Sequence, residues 1–581
     1  MTSIDPQLRA EVESWIADDP DPKTAASLKA MLATDDLVSI KRCFNGFLEF
    51  GTAGLRGAIG PGPSQMNRAV VTRTAGGIAR YMKARGLESV VIGRDARYGS
   101  EDFARDSAEI FTGAGMKVVM LPRPLPTPVL AFALRDLSLD VGIMVTASHN
   151  PPQDNGYKVY LGGVVDEIRY AGSQIIAPAD SEIFAEIQAI SSIKDLPRGR
   201  DGDWEILDES VIRRYVHRTA KVATKAREIT VVYTALHGVG TETLRSVFHA
   251  AGFAEPILVT EQADPDPDFP TVAFPNPEEK GAIDLALEKG RAFDADLVIA
   301  NDPDADRCAV AIKDHHLSAL KTGSDIGAER DQWRMLRGDE VGVILGAFIA
   351  EQLSSRETSE NQSNPIFANS IVSSSALSKI AARHGIGFTE TLTGFKWLAK
   401  VDGLTFGYEE ALGYCVDSSS VNDKDGISAA LMITDLAARL KEEGSSLAKY
   451  LDSIWNEIGY HATKQVSIRF DDLSLIPPLM ESLRLSPPGE LLISNAAYRF
   501  TSLDDLAQPT DALPPTDGLR LWFTRDGSDE KIRMIIRPSG TEPKLKCYIE
   551  VVGDASRRDE VDAVAEESAR LITEFLNAAI H

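Results

Sequence analysis

The chain has 581 residues, 43% of them apolar, and a formal net charge of −25. That length and apolar content support roughly three to five domains with real cores, while the charge argues against nucleic acid and anionic membrane as partners. No apolar run approaches the ~20 residues of a bilayer span, residues 1–22 lack a signal-peptide core, and Cys43, Cys308, Cys415 and Cys547 show no metal or disulfide spacing, so a cytoplasmic enzyme with reduced thiols is expected.

In chain order, residues 5–37 read as helical and packed outside the first domain. A polar boundary at 198–203 closes that domain, and the whole pattern divides as 1–205, 206–332, 333–454 and 455–581. In the first part the apolar run Val141–Val145 leads straight into Thr146-Ala147-Ser148-His149-Asn150-Pro151-Pro152. The second opens with a strand at 229–233, and its strand 296–300 empties into Asp302-Pro303-Asp304-Ala305-Asp306-Arg307. Residues 313–332 are polar without a period and read as a surface insertion. The third begins with an apolar helix at 341–353, and its short run 404–406 leads to Phe406-Gly407-Tyr408-Glu409-Glu410-Ala411-Leu412-Gly413. The fourth is strand-rich, punctuated by Pro477-Pro478, Pro487-Pro488 and a loop at 511–517. There Arg537-Pro538-Ser539-Gly540-Thr541-Glu542-Pro543-Lys544 separates strands at 532–536 and 545–552. A helix at 559–579, apolar at Val561, Val564, Leu571, Ile572 and Phe575, ends the chain. Three apolar strands that each deliver a polar loop predict three related doubly wound α/β units, followed by an α+β domain.

The loops suggest chemistry. In open α/β sheets ligands bind beyond the carboxyl ends of strands, and a serine there can act as a nucleophile or carry a phosphoryl group; a plain Ser/Asn/Pro turn is the competing reading. Three carboxylates at alternate positions can converge on one hard cation such as Mg²⁺. An EF-hand is excluded, because its sixth position is Arg307 rather than Gly and its twelfth is Lys313 rather than Glu. The Arg537 loop, with two hydroxyls, a glycine and a lysine, suits an oxyanion, although a hairpin turn accounts for it on local grounds. The adjacent Glu409 and Glu410 can grip sugar hydroxyls or lie in an exposed acidic turn. In so acidic a chain an anionic substrate requires a local basic pocket, for which Arg56, Lys158, Lys396, Arg537 and Lys544 are the natural suppliers.

Together these motifs resemble the α-D-phosphohexomutases, the phosphoglucomutase and phosphomannomutase superfamily. The resemblance is ordered over nearly the whole chain. It takes in Phe50-Gly51-Thr52-Ala53-Gly54-Leu55-Arg56-Gly57, Gly93-Arg94-Asp95-Ala96-Arg97, the serine loop, Asn155-Gly156-Tyr157-Lys158, Leu236-His237-Gly238-Val239-Gly240, Pro275-Asn276-Pro277-Glu278, the aspartate loop, Thr393-Gly394-Phe395-Lys396-Trp397, and the Glu409 and Arg537 loops. Tyr408-Glu409-Glu410-Ala411, Asp423-Lys424-Asp425-Gly426 and Lys396-Trp397 look like the phosphopentomutase-type branch. Ala411 stands where many relatives place a serine, so one hydroxyl contact to the sugar is absent.

The resemblance implies four domains around a central cleft and a phosphoryl relay through Ser148. Asp302, Asp304 and Asp306, with the Ser148 phosphate oxygen, would hold Mg²⁺. Arg307 would clamp charge, Lys158 would act as acid–base once cations or burial lower its pKa, and His149 would orient without forming a triad. Arg56, Lys158, Thr393, Gly394, Lys396, Glu409, Arg537, Ser539, Gly540 and Thr541 would bind substrate. The implied reaction converts glucose 1-phosphate to glucose 6-phosphate with glucose 1,6-bisphosphate as intermediate and activator. Pentose phosphates, mannose phosphates and glucose 1,6-bisphosphate synthesis are the alternatives, and a monomer or homodimer is expected. No histidine lies between Tyr408 and Asp425 to serve as a second acid–base.

Overall fold

The computed structural model describes residues 4–51, 53–316, 333–355, 364–470, 472–494, 496–509, 513–538 and 544–578. They form two compact units, Met1–Leu336 with Phe395–Lys400 and Leu412–Glu443, and Arg337–Gly394 with Val401–Ala411 and Gly444–His581. Among the described residues no helix is long and apolar enough to cross a membrane, and all four cysteines are buried free thiols.

The first unit opens with helices Pro6–Asp18, Pro22–Ala33 and Leu37–Cys43. Asp5, Asp21 and Asp36 cap them by accepting the backbone N–H of Gln7, Lys23 and Ser39. Val12, Leu28, Ile40 and Cys43 form their small core.

The first sheet places Val141–Val145 beside the parallel strand Ser89–Arg94, which pairs in turn with Lys117–Met120. All five residues of Val141–Val145 are buried, as expected of a parallel strand covered on both faces. Asp154–Leu161 returns antiparallel to it, putting Lys158 opposite Met144. Leu55–Ala58 adds beyond, putting Arg56 opposite Gly156. Gly54 permits that approach, with φ of +75° and its missing Cβ 1.8 Å from the Tyr157 carbonyl oxygen.

In the second sheet Ile257–Leu258, Val231–Thr234 and Leu297–Asn301 run parallel, and Cys308–Lys313 and Trp333–Met335 complete it antiparallel. Trp333–Met335 therefore extends this sheet past the boundary expected at 332, because it pairs backbone to backbone with residues 311–313. Most of the expected insertion, residues 317–332, lies outside the described residues. Helix Gly426–Glu442 packs on this sheet and on helix Gly240–Ala251.

In the second unit Ile366–Ser370 lies parallel to both Gly387–Thr391 and Leu404–Glu409. Helices Gly338–Ser355 and Ala376–Arg383 pack on these strands. The C-terminal part is an antiparallel six-stranded sheet in the order Tyr460–Arg469, Lys544–Gly553, Lys531–Pro538, Leu519–Arg525, Ala496–Asp505, Glu490–Ile493. Helix Arg558–Ala578 covers it. The α/β units and the α+β end thus follow the expected fold class.

Candidate active site

Ser148 sits at the tip of a strained turn, its φ of +51° in the left-handed region. Its backbone N–H donates to Thr146 Oγ1 at 2.9 Å. The loop is held from beneath by Arg97, which donates to the carbonyls of Ser148 (2.6 Å), Asn150, Pro151 (2.8 Å) and Asp154 (3.2 Å). Arg97 is buried, stacks 4.8 Å from the Phe269 ring centroid and pairs with Asp95 at 3.4 Å. Asp95 also accepts from Ser100 Oγ at 2.6 Å. Burial pulls the Arg97 pKa down and the Asp95 pKa up. The sequence presented Arg97 only as part of a motif. A lone arginine among apolar strands announces nothing until the loop carbonyls that satisfy it are folded over it.

Asp302, Asp304 and Asp306 are buried, and one carboxylate oxygen of each lies within 4.8 Å of the others. Ser148 Oγ donates to Asp302 Oδ2 at 2.6 Å. Lys158 Nζ donates to Asp304 Oδ2 (2.7 Å) and Asp306 Oδ2 (2.9 Å). Thr127 Oγ1 donates to Asp304 Oδ2 at 2.6 Å, and Lys424 Nζ lies 3.4 Å from Asp306 Oδ2. Arg307 Nε is 4.0 Å from both Asp302 and Asp306. The loop is braced by Asn301, which donates to the Arg307 carbonyl and accepts from Tyr233 OH at 2.9 Å. Gly426 closes against it, because a Cβ there would lie 2.2 Å from the Arg307 carbonyl oxygen. Thr127 and Lys424 were not singled out as site residues from sequence; only the fold brings them to the carboxylates.

The electrostatics follow from this crowding. Burial, then the charges of Asp304 and Asp306, push Asp302 up to about 8. Burial opposes ionisation of Asp304 as well, but Lys158 and Thr127 hold it well below the usual carboxylate range. Buried oxygens Oδ1 of Asp304 and Asp306 accept no hydrogen bond among the described residues. Orphaned hard oxygens in a convergent carboxylate set fit Mg²⁺.

One expectation needs correction. Acid–base work by Lys158 is expected to need a pKa lowered by cations or burial. Burial does lower it, but the facing carboxylates of Asp304 and Asp306 outweigh burial and raise it. His149, to which an orienting role is assigned, has its Nδ1 3.2 Å from Ser148 Oγ. The left-handed turn at Ser148 brings adjacent side chains to one side. Burial, then Arg307 and Arg56, press the His149 pKa well down. Arg56 Nη1 reaches Asn150 Oδ1 at 3.2 Å.

The first unit thus brings together Arg56, Ser148, His149, Lys158, Asp302, Asp304, Asp306 and Arg307. Lys396 lies in the same unit on helix Phe395–Leu398, half-buried. In the second unit Glu409 ends the strand Leu404–Glu409 and accepts from the Gly394 N–H at 2.6 Å. Arg537 Nη1 donates to Thr393 Oγ1. Ser539, Gly540 and Thr541 lie outside the described residues.

Family models of phosphoglucomutase/phosphomannomutase match four stretches: alpha/beta/alpha domain I at 48–193, domain II at 213–315, domain III at 337–458, and the C-terminal domain at 516–567. The chain is 44% identical over 512 residues to a probable phosphomannomutase of Haemophilus influenzae, spanning 87% of this chain and 97% of that protein. It is 35% identical over 602 residues to phosphopentomutase of Homo sapiens, spanning 96% and 93%. The solved structure of pp63/parafusin, a phosphoglucomutase from Paramecium, shares the fold with a TM-score of 0.68 at 18% identity, over 93% of this chain and 96% of that one.

Proposed function

This chain belongs to the phosphoglucomutase/phosphomannomutase family, and from that premise we propose that it interconverts glucose 1-phosphate and glucose 6-phosphate through phospho-Ser148 and glucose 1,6-bisphosphate. The observation that supports the relay best is Ser148 Oγ, hydrogen-bonded at 2.6 Å to Asp302 within a buried cluster of three carboxylates.

Phosphate-monoester chemistry is among the slowest uncatalysed reactions, with accelerations reaching ~10²¹, so charge compensation carries most of the burden. In the first half-reaction the Oγ–P bond of phosphoserine breaks and a bond forms from that phosphorus to the free sugar hydroxyl. Lys158 Nζ, held as an ammonium by Asp304 and Asp306, gives a proton to Oγ and takes the sugar hydroxyl proton in the same step, so that it never stands neutral. The bisphosphate turns end for end, and Ser148 Oγ takes the other phosphoryl group as the same protons run in reverse. Asp302, Asp304, Asp306 and the Ser148 oxygen would hold Mg²⁺, which when bound neutralises charge on the transferred group. Arg307 and Arg56 add positive charge, and His149 orients the serine. Glu409, with Thr393, Gly394 and Lys396, holds the sugar. Arg537, Ser539, Gly540 and Thr541 grip the phosphate that does not react. Water is the competing acceptor and must be kept from phosphoserine.

A second reading, phosphopentomutase, is favoured by Ala411 and by the near-full-length likeness to the human protein of that name. The deciding experiment is kcat/KM for glucose 1-phosphate against ribose 1-phosphate, with Mg²⁺ and catalytic bisphosphate. A ratio favouring glucose supports the proposal. A ratio favouring ribose replaces the hexose by a pentose. Failure with both, but turnover with 1,3-bisphosphoglycerate as donor, makes the chain a glucose 1,6-bisphosphate synthase.

A further inference from the structure

The second unit ties the strand that carries Arg537 to the loop that carries Glu409 through one buried arginine. Arg533 and Arg537 lie on the strand Lys531–Pro538 at positions of the same parity, and so on one face. Arg533 Nη2 donates to the Ser373 carbonyl at 2.6 Å, and Nη1 to the Ile371 carbonyl at 3.4 Å. Directly across on the neighbouring strand, Glu550 pairs with it at 2.9 Å, and Glu390 lies 3.7 Å away. Only arginine presents a rigid fork able to serve carbonyls and a carboxylate together.

Ser373 passes the hold onward. Its Oγ accepts from the Glu410 N–H at 3.1 Å, and the hydroxyls of Ser370 and Ser373 both lie 3.2 Å from Glu410 Oε2. Two adjacent glutamates therefore differ in role. Glu410 is engaged by serines, while Glu409 reaches Gly394, whose neighbour Thr393 accepts from Arg537. The chain of contacts closes on itself.

We propose that Arg533 is a positioning residue that, through Ser373 and Glu410, sets the Glu409 carboxylate in register with Arg537. This rests on the reading of Glu409 and Arg537 above as the sugar and phosphate contacts. Loss of such a hold weakens the grip on ground state and transition state alike, so it moves KM and leaves kcat.

The test measures KM, kcat and melting temperature for Arg533→Lys, Ser373→Ala and Arg537→Ala with glucose 1-phosphate, or ribose 1-phosphate if that is the better substrate. Arg533→Lys and Ser373→Ala are each expected to raise KM about tenfold with kcat within about threefold. Combining Arg533→Lys with Arg537→Ala should raise KM by less than the product of the single effects. A merely structural role would lower the melting temperature and leave KM alone. That result, alongside a raised KM in Arg537→Ala, would overturn the inference while sparing the phosphate-loop reading. An unchanged KM in Arg537→Ala would remove that reading and this inference with it. If Arg533→Lys fails to fold, Ser373→Ala decides, since it deletes only the hydroxyl.

Discussion

Replacing Thr127 by valine isolates one hydrogen bond at the carboxylate cluster. Thr127 is fully buried at the start of helix Thr127–Asp136. Its N–H donates to the Asp304 carbonyl at 2.9 Å and its Oγ1 to Asp304 Oδ2 at 2.6 Å. Valine keeps the shape and the backbone contact and deletes only the hydroxyl donor. Asp304 Oδ2 keeps Lys158 at 2.7 Å, so the carboxylate stays charged but is less firmly aimed. A hydrogen bond to a charged acceptor is worth about 1.5–3 kcal/mol, and supporting contacts to metal ligands are worth about 10–100-fold in affinity. The two ranges agree, and we expect the Mg²⁺ concentration for half-maximal activity to rise at least about tenfold. Titration calorimetry with Mg²⁺ or Mn²⁺ should show the same loss, and saturating Mg²⁺ should restore most of kcat. Unchanged affinity in calorimetry and unchanged half-saturation would refute the placement of Asp304 as a cation ligand aimed by Thr127.

Asp304→Asn should cripple turnover at every Mg²⁺ concentration, because the lost charge is itself part of the cluster; full rescue by added Mg²⁺ would make Asp304 a minor contributor. Arg97→Lys cannot span the loop carbonyls that Arg97 now satisfies, so kcat should fall about 10²-fold from misplacement of Ser148, with little change in KM; wild-type kcat would show that the loop holds its own shape. Burial pushes Asp425 up to about 6, so the fold binds that proton more tightly than the unfolded chain, and stability is lost as pH rises from about 4 through about 6. Asp425→Asn should remove about 1–3 kcal/mol of that pH dependence, read as the wild-type minus variant difference in denaturant unfolding across this window; an unchanged difference would contradict a neutral Asp425 at low pH.

The strands and their polar exits were legible because a fully buried strand such as Val141–Val145 writes itself as an unbroken apolar run. The convergence of Asp302, Asp304 and Asp306 was legible from their alternate spacing beside such a strand. The supports of the site were not. Arg97, Thr127 and Lys424 act through contacts with residues tens to hundreds of positions away, and a single polar residue carries no periodicity to betray it. The His149 geometry was missed because it depends on one backbone torsion at Ser148. The direction of the Lys158 pKa shift was not legible because it depends on which carboxylates face the amine, a fact of tertiary structure.

The relay through Ser148 is tested most directly by mass spectrometry of the protein after incubation with glucose 1,6-bisphosphate and Mg²⁺, followed by a chase with glucose 1-phosphate. The wild type should gain one phosphoryl group, mapped to Ser148, and lose it to sugar during the chase, while Ser148→Ala gains none and does not turn over. A wild type that turns over without ever carrying phosphate on Ser148, or a Ser148→Ala variant with substantial mutase activity, would contradict the account.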